Sequence, residues 1–169
     1  FNGLFLLPAP GKEDNIIPPE IMRQLVPLLA SYYDHVLVDS PAGVGLGFLS
    51  AIAAAQRALV VSNPDPVCVR DTATVRRLLT EARIQEQRLV INRFQYSRFK
   101  KLGCFRDLDA MIDESGVRLI AVIPEDVQLA AAAARAQPPS HRSSGAMAYA
   151  RLAARLEGEH VPLASLRWM

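Results

Sequence analysis

The stretch that decides the fold is YDHVLVDSPAGVGLGFLSAI, residues 33–52. An apolar run at residues 36–38 ends on a single acid, Asp39, and a Ser-Pro-Ala-Gly corner follows it directly. A short continuous apolar run is typical of a strand that is covered on both faces of a sheet. Because open α/β sheets bind ligands beyond the carboxyl ends of their strands, the position of Asp39 predicts a ligand site.

Two interpretations of this corner remain open from the residues alone. In the first, Asp39 holds Mg²⁺ through water, and the glycine-rich turn lets backbone N–H groups approach a phosphate. In the second, Asp39 caps the following helix and the glycines only form a tight turn.

Length and composition restrict the class of protein. The chain has 169 residues, of which 50% are hydrophobic and 21% charged, as in a globular domain with its own core. The formal charge of +2 is too small to indicate a polyanionic partner. Cys68 and Cys104 lie far apart, which disfavours a zinc site or a disulfide and favours a reducing cytoplasm. We therefore expect a single cytoplasmic domain covering residues 1–169.

Apolar runs alternate with segments of helical period along the chain. Continuous runs at residues 4–7, 36–38, 58–61, 89–91 and 119–123 predict five strands that are buried on both faces. Helical stripes lie between and after these runs, for example Val75, Leu78, Leu79 and Ala82. The pattern predicts an α/β fold with a mostly parallel sheet between helices.

Four segments resemble motifs of a known family, which hydrophobic periodicity alone does not identify. They are VLVDSPAGVGLGFLSAI (36–52), LVVSNPDPVCVRDTATV (59–75), VINRF (90–94) and LIAVIPEDVQLAAAA (119–133). In this order they resemble the MinD branch of the MinD/ParA P-loop ATPases. The first is similar to the Walker B and switch II segment of that family, the second to its next strand and helix. The last two are similar to an Asn-Arg pair and an Ile-Pro-Glu-Asp loop beside the adenine. Residues 148–162 resemble its closing helix.

The resemblance implies ATP and Mg²⁺ as ligands. It makes Asp39 the acid associated with Mg²⁺, through water, and places Asn92 in a hydrogen bond with the adenine, with Arg93 packed on or near the base. It places Pro124 and Glu125 along the base. An amide offers a donor and an acceptor to a purine edge, and a guanidinium group stacks well on a π face. Without the resemblance, Asn92 is equally a turn residue after a strand.

The resemblance also implies a switch and a partner surface. The segment that senses the γ-phosphate would be Ser40, Pro41, Ala42 and Gly43. The helix with Arg70 and Asp71 is where this family docks its partners, a division inhibitor or a topological regulator. An alternative is that the two residues are an exposed helix start, with Asp71 favoured by the helix dipole. A homodimer that forms on ATP is the implied assembly.

One family element is missing from these residues, because no GxxxxGK[ST] loop or variant of it occurs among them. We therefore expect an N-terminally truncated copy, the C-terminal two-thirds of the ATPase domain, with an opening in its sheet beside the Asp39 strand. Phosphoryl transfer depends on positioning and charge stabilisation. ATPase activity thus follows only from the resemblance, and we expect no hydrolysis by this chain alone.

Two other functions compete with an ATP-dependent role in division-site selection or intracellular positioning. NRFQYSRFKKLGCFR (92–106) interleaves cations with aromatic residues, which suits a ParA-like non-specific DNA-binding module, although such stretches are more often solvated loops. The other alternative is a non-catalytic remnant that kept the partner surface. The tail LASLRWM (163–169) is too short for firm membrane anchoring, so weak or no contact with the inner face of the cell membrane is expected.

Overall fold

A computed structural model describes residues 3–9 and 16–163. The chain divides into two compact units. The first contains Phe1–Gln56 with Ala82–Ile84, and the second contains Arg57–Glu81 with Gln85–Met169. The tail at residues 164–169, for which weak membrane contact is predicted, lies outside the described residues.

The second unit is a three-stranded parallel sheet with helical connections. Its elements in chain order are β1 (Arg57–Ser62), α3 (Pro66–Glu81), β2 (Glu86–Phe94), α4 (Tyr96–Leu102), α5 (Leu108–Ser115), β3 (Leu119–Pro124), α6 (Val127–Ala134) and α7 (Ser144–Leu156). The helices α1 (Pro19–Ala30) and α2 (Leu46–Ile52) precede them and belong to the first unit. The strand order is β1-β2-β3 and both pairings are parallel. Parallel neighbours need crossover connections, which α3 and the α4–α5 pair supply.

Both faces of this sheet are covered, which explains the continuous apolar runs in β2 and β3. On one face, Leu89 and Ile91 are fully buried in a cluster with residues of α3, α4 and α5, namely Val69, Phe99 and Met111. On the other face, Val90 and Ile123 pack with Ala148 and Leu152 of α7. The predicted parallel α/β sandwich is confirmed for this unit.

Carboxylates and glycines define the ends of several helices. The side chain of Asp107 accepts a hydrogen bond from the Ala110 N–H, and that of Asp126 accepts from Gln128 and Leu129, as N-caps do. Gly116 ends α5 with φ +66°, a conformation that glycine adopts without strain.

The first unit holds two helices, α1 (Pro19–Ala30) and α2 (Leu46–Ile52), and no strand among its described residues. The Ser50 hydroxyl of α2 donates to the Ile17 carbonyl just before α1. The predictions of strands at residues 4–7 and 36–38 are therefore wrong for this structure. A strand exists only through hydrogen bonds to a neighbour, and no described residue pairs with either run, although both have the expected apolar sequence.

None of the helices in the described part of the chain is long and apolar enough to cross a membrane. The assignment of residues 1–169 to one domain stays a prediction.

Candidate functional site

Predicted site residues lie where β2 and β3 end. Asn92 and Arg93 are among the last three residues of strand β2. The final residue of that strand, Phe94, pairs with Pro124, the last residue of β3. The Glu125 N–H donates to the Phe94 carbonyl at 2.9 Å and extends this pairing by one residue. Asn92 is half-buried, and its amide side chain forms no hydrogen bond with a described residue. An amide group and a guanidinium group are thus available at one sheet edge.

An ion pair joins the two strand ends. Arg93 donates from Nε and Nη2 to the same Glu125 oxygen, at 3.2 and 3.0 Å. The β2–β3 register is irregular between Ile91 and Phe94, and within this irregularity Arg93 has φ +53°. A non-glycine residue in the left-handed region carries strain, and such residues cluster at ligand sites. Arg83 and Ala136 have the same backbone conformation, so the backbone of Arg93 is compatible with a site without being specific to one.

A cleft of about 190 Å³ opens beside this ion pair within the second unit. The loop after β1, the end of β2, the start of the loop after β3 and one face of α4 line it, with Asn63, Pro64, Asp65, Arg93, Gln95, Arg98, Phe99, Leu102 and Glu125. The cleft shares Arg93 and Glu125 with the predicted base site, while Asn92 and Pro124 do not line it.

Asp65 organises the β1 side of the cleft. Its carboxylate accepts the backbone N–H groups of Val67 and Cys68 at 3.1 and 3.0 Å and so begins α3. A hydrogen bond with the Cys68 thiol, these N–H groups and the nearby positive charge of Arg98 lower the pKa of Asp65. The same hydrogen bond, together with burial, raises the pKa of the Cys68 thiol. Asp65 is therefore an engaged carboxylate rather than a free acid.

The Asp39 corner lies in the first unit, so its place relative to the β2–β3 edge stays a prediction. Helix α2 begins at Leu46, its N-cap is Gly45, and no side chain caps it. The interpretation that Asp39 caps this helix is therefore wrong. Gly43 has φ +83°, and a Cβ on Gly47 would lie 2.5 Å from the Pro41 Cγ, so both glycines are required by the turn.

The exposed Asp39 carboxylate forms no hydrogen bond or ion pair with a described residue. Over residues 3–9 and 16–163 no group of three His, Cys, Asp or Glu side chains could hold a metal by itself. Mg²⁺ is usually bound by one or two carboxylates together with phosphates and water. A free carboxylate on a phosphate-compatible turn fits that mode, and Ser40, Pro41, Ala42 and Gly43 are exposed around it.

Arg70 and Asp71 are exposed on α3. The helix begins at Pro66, so Asp71 lies in its second turn, where the dipole at a helix start has faded. The interpretation of this pair as a helix start is therefore wrong. The partner role of Arg70 and Asp71 stays a prediction.

Two of the four aromatic residues of the segment 92–106, Phe94 and Phe99, belong to the core. Phe94 and Phe99 are buried with ring centres 5.4 Å apart, and Phe105 stacks on Phe99 at 6.4 Å. Buried rings cannot stack on nucleobases, so Phe94 and Phe99 do not support a nucleic-acid interface. Tyr96 and Phe105 are partly buried against the same cluster.

Asn63, Asp65, Gln95 and Arg98 line the cleft. The sequence pattern assigned no ligand to Asn63 and Asp65, and it considered Gln95 and Arg98 only as part of the segment 92–106 in the DNA-binding alternative. A signal for them exists: Asn63 and Gln95 directly follow strands, and Gln95, Arg98, Phe99 and Leu102 recur at i, i+3, i+4 and i+7, as on one face of a helix.

Comparison with known proteins gives relatives for nearly the whole chain. No family model matches it. The septum site-determining protein MinD of Bacillus subtilis is 32% identical over 166 residues, which are 95% of this chain and 61% of the relative. The MinD of Thermotoga maritima is 33% identical over 165 residues, 95% of this chain and 60% of the relative. The chain thus spans about 60% of the length of these relatives.

Solved structures agree with these relatives. The MinC:MinD cell division protein complex of Aquifex aeolicus matches with a TM-score of 0.81 and 30% identity, over 89% of this chain and 63% of that chain. MinD of Pyrococcus horikoshii, solved with Mg-ADP, matches with a TM-score of 0.72 and 29% identity, over 82% of this chain and 56% of that one. Over the matched residues the chain is a homologue of the septum site-determining MinD proteins, and its structure matches the corresponding part of their MinD/ParA P-loop ATPase fold.

Proposed function

We propose that this chain binds ATP with Mg²⁺ as part of a MinD-like protein in cell-division site selection. The observation that carries the proposal is the convergence of Asn92 and Arg93 with Pro124 and Glu125 where two parallel strands end. The relative solved with Mg-ADP adds support from a homologous fold. The proposed base subsite lies at this edge in the second unit, and an association of Asp39, in the first unit, with Mg²⁺ through water is proposed separately.

Each residue has a separate task in this proposal. The Asn92 amide donates to and accepts from the edge of the adenine, and the Arg93 guanidinium packs on the base. The loop at Pro124 and Glu125 borders the base. Asp39 orients water on Mg²⁺, and Ser40, Pro41, Ala42 and Gly43 form the switch that responds to the γ-phosphate. Mg²⁺, when bound, neutralises phosphate charge.

Titration of the 169-residue chain with Mg-ATP tests the base subsite. Asn92→Ala should weaken binding about tenfold, the effect of one lost hydrogen bond to the ligand. Gln85→Ala is the control, because it also removes a side-chain amide from the second unit, in this case an exposed one in the loop just before β2 and outside the cleft. Equal affinity of the Asn92 variant and the wild type would contradict the proposal.

The chain by itself is proposed not to hydrolyse ATP, since its residues contain no P-loop to position the phosphates. Phosphate release should stay at background in the wild type. Turnover that disappears in Asp39→Ala but persists in the control Asp34→Ala would overturn this part.

A division inhibitor is the proposed partner, with Arg70 and Asp71 as contacts. Both are exposed on α3, and a homologue was solved together with MinC. Binding to Aquifex aeolicus MinC should weaken in Arg70→Glu and Asp71→Lys but persist in Arg77→Glu, a charge reversal further along the same helix. We also propose that a topological regulator is a second partner and that a homodimer forms on ATP. The proposed location is cytoplasmic, with at most weak contact at the inner face of the membrane.

A further inference from the structure

The chain changes direction directly after α7. Gly158 has φ +88°, its N–H donates to the Arg155 carbonyl at 3.1 Å, and the Glu159 N–H donates to the Ala154 carbonyl at 2.9 Å. Two such hydrogen bonds around a left-handed glycine form a Schellman motif, which ends a helix and fixes the direction of the residues that follow. Residues 159–163, here called the strap, therefore leave α7 in a defined direction.

The side chain of Arg155 joins the strap to the sheet. Its Nε and Nη2 donate to the Val161 carbonyl at 2.8 and 2.6 Å, and its Nη1 donates to the Ile120 carbonyl of β3. A guanidinium group can hold two carbonyls at once because its donors form a rigid, planar fork. One residue of α7 thus connects the strap with β3.

Beyond its first residue, the strap has few other polar contacts. Within the part of the chain that the structure describes, no backbone group of residues 160–163 forms a hydrogen bond with the backbone of α7 or β3. All strap residues except Val161 are exposed. Segments with exposed residues and few hydrogen bonds are among the least stable parts of a fold and open locally. The attachment of the strap therefore depends on Arg155.

The end of the strap lies beside the apolar packing between β3 and α7. Leu163 lines a depression of about 10 Å³ together with buried residues of both elements, namely Ala121, Val122, Ala148 and Leu152. This volume is at the lower limit for one water molecule, so the contact is nearly closed. Opening of the strap would expose this edge of the core to solvent.

We propose that the strap is a conformational device that Arg155 fastens, and that release of this one side chain opens residues 159–163 while the sheet and α7 stay folded. Arg155 is thus a positioning residue for the chain after α7. Ile120 is the second residue of β3, whereas the proposed base subsite lies where that strand ends, at Pro124. The strap therefore opens independently of nucleotide binding.

Hydrogen exchange of the full 169-residue chain, measured for each amide by NMR, tests the proposal. The reporter is the Val161 N–H, which donates to the Glu159 carbonyl within the strap at 3.1 Å. Its exchange should be about tenfold faster in Arg155→Gln, the effect of lost hydrogen bonds from a charged donor. The amides of Leu89 and Ile123, in the buried strands, should change by less than about twofold. Cleavage by a glutamate-specific protease after Glu159 should also be several-fold faster in this variant.

Arg151→Gln is the matched control. Arg151 is a half-buried arginine one turn earlier on α7 that lines the same depression, but its side chain forms no hydrogen bond with a described residue. This variant should change the exchange of Val161 and the cleavage after Glu159 by less than about twofold. Arg155→Lys keeps the charge without the fork of donors, so its effect should lie between the wild type and Arg155→Gln.

The proposal would be overturned by unchanged exchange of Val161 in Arg155→Gln, or by equal effects of the substitutions at Arg155 and Arg151. It would also be overturned if the Ile123 amide accelerated as much as that of Val161, or if Arg155→Gln did not fold, because the sheet would then depend on the strap. Mg-ATP affinity should be the same in Arg155→Gln and the wild type. A failure here would leave the nucleotide proposal intact, and a failure to bind ATP would not alter the exchange result.

Discussion

Leu89 in β2 and Leu37 in the run at residues 36–38 are both leucines within short apolar runs, yet one side chain is buried and the other is exposed. Leu89 is 0% exposed between β1, β3 and the helices over one face. Leu37 is 86% exposed, and Leu6 in the run at residues 4–7 is 89% exposed. The difference is a hydrogen-bonded neighbour on each side, which only β2 has. Apolar sequence creates the tendency to form a strand, and pairing realises it.

Substitution of these two leucines tests the comparison most directly. Leu89→Ala removes a fully buried side chain and should lower the free energy of unfolding by about 2–5 kcal/mol. Leu37→Ala makes the same chemical change on an exposed residue and should change it by less than about 0.5 kcal/mol. Urea unfolding followed by circular dichroism measures both. Similar losses would show that residues 36–38 are buried in solution.

Side-chain caps also distinguish the two units, because neither helix of the first unit has one. Asp126 accepts hydrogen bonds from Gln128 and Leu129 at the start of α6, and from Gly145 and Ser144 at the start of α7. Asp126→Ala should therefore cost about 1–2 kcal/mol, as for the loss of a good N-cap. Asp109→Ala, an acid in the first turn of α5, is the matched control.

Asp109→Ala should lower the free energy of unfolding by less than about 0.5 kcal/mol, since Asp109 contributes only through the helix dipole. The same unfolding experiment compares the two variants. Equal losses would mean that the link between α6 and α7 contributes no stability.

The pH dependence of the unfolding free energy tests the contribution of the Asp126 carboxylate in a second way, with a smaller expected change. The backbone N–H of Gly145 is the main cause that lowers the pKa of Asp126 below the ordinary value of 3.8. A lowered folded-state pKa stabilises the fold above the unfolded value, and this contribution is lost as pH falls through the folded value. Between pH 6 and pH 3 the wild type should therefore lose more stability than Asp126→Asn. Parallel curves for the two proteins would contradict this.

The ion pair of Arg93 and Glu125 should have the smallest effect. Its side chains are 64% and 36% exposed, and exposed ion pairs contribute about 0–1 kcal/mol. Glu125→Gln should therefore change the unfolding free energy by no more than about 0.5 kcal/mol. A loss well above that, measured by urea unfolding at low and high salt, would make this pair a structural element rather than a feature of the site.

The sequence by itself determined the parallel α/β class, the strands at Leu89 and Leu119, and the convergence of Arg93 with Glu125. The spacing of apolar residues, which indicates strands and helices and their buried faces, can be seen in the local sequence. Parallel strands necessarily bring their carboxyl ends to one edge of the sheet. The helix end at Gly116 was equally readable, because a left-handed C-cap favours glycine whatever the surroundings.

Only the tertiary structure decided the rest. The rings of Phe94 and Phe99 looked available in the sequence, and packing placed them in the core. The sequence favours a strand at residues 36–38 as strongly as in β2, yet no described neighbour pairs with it. The cleft joins Asn63 with Arg98, which are 35 positions apart, through the adjacency of β1 and β2. Pairing and packing are properties of the whole chain, and local pattern does not contain them.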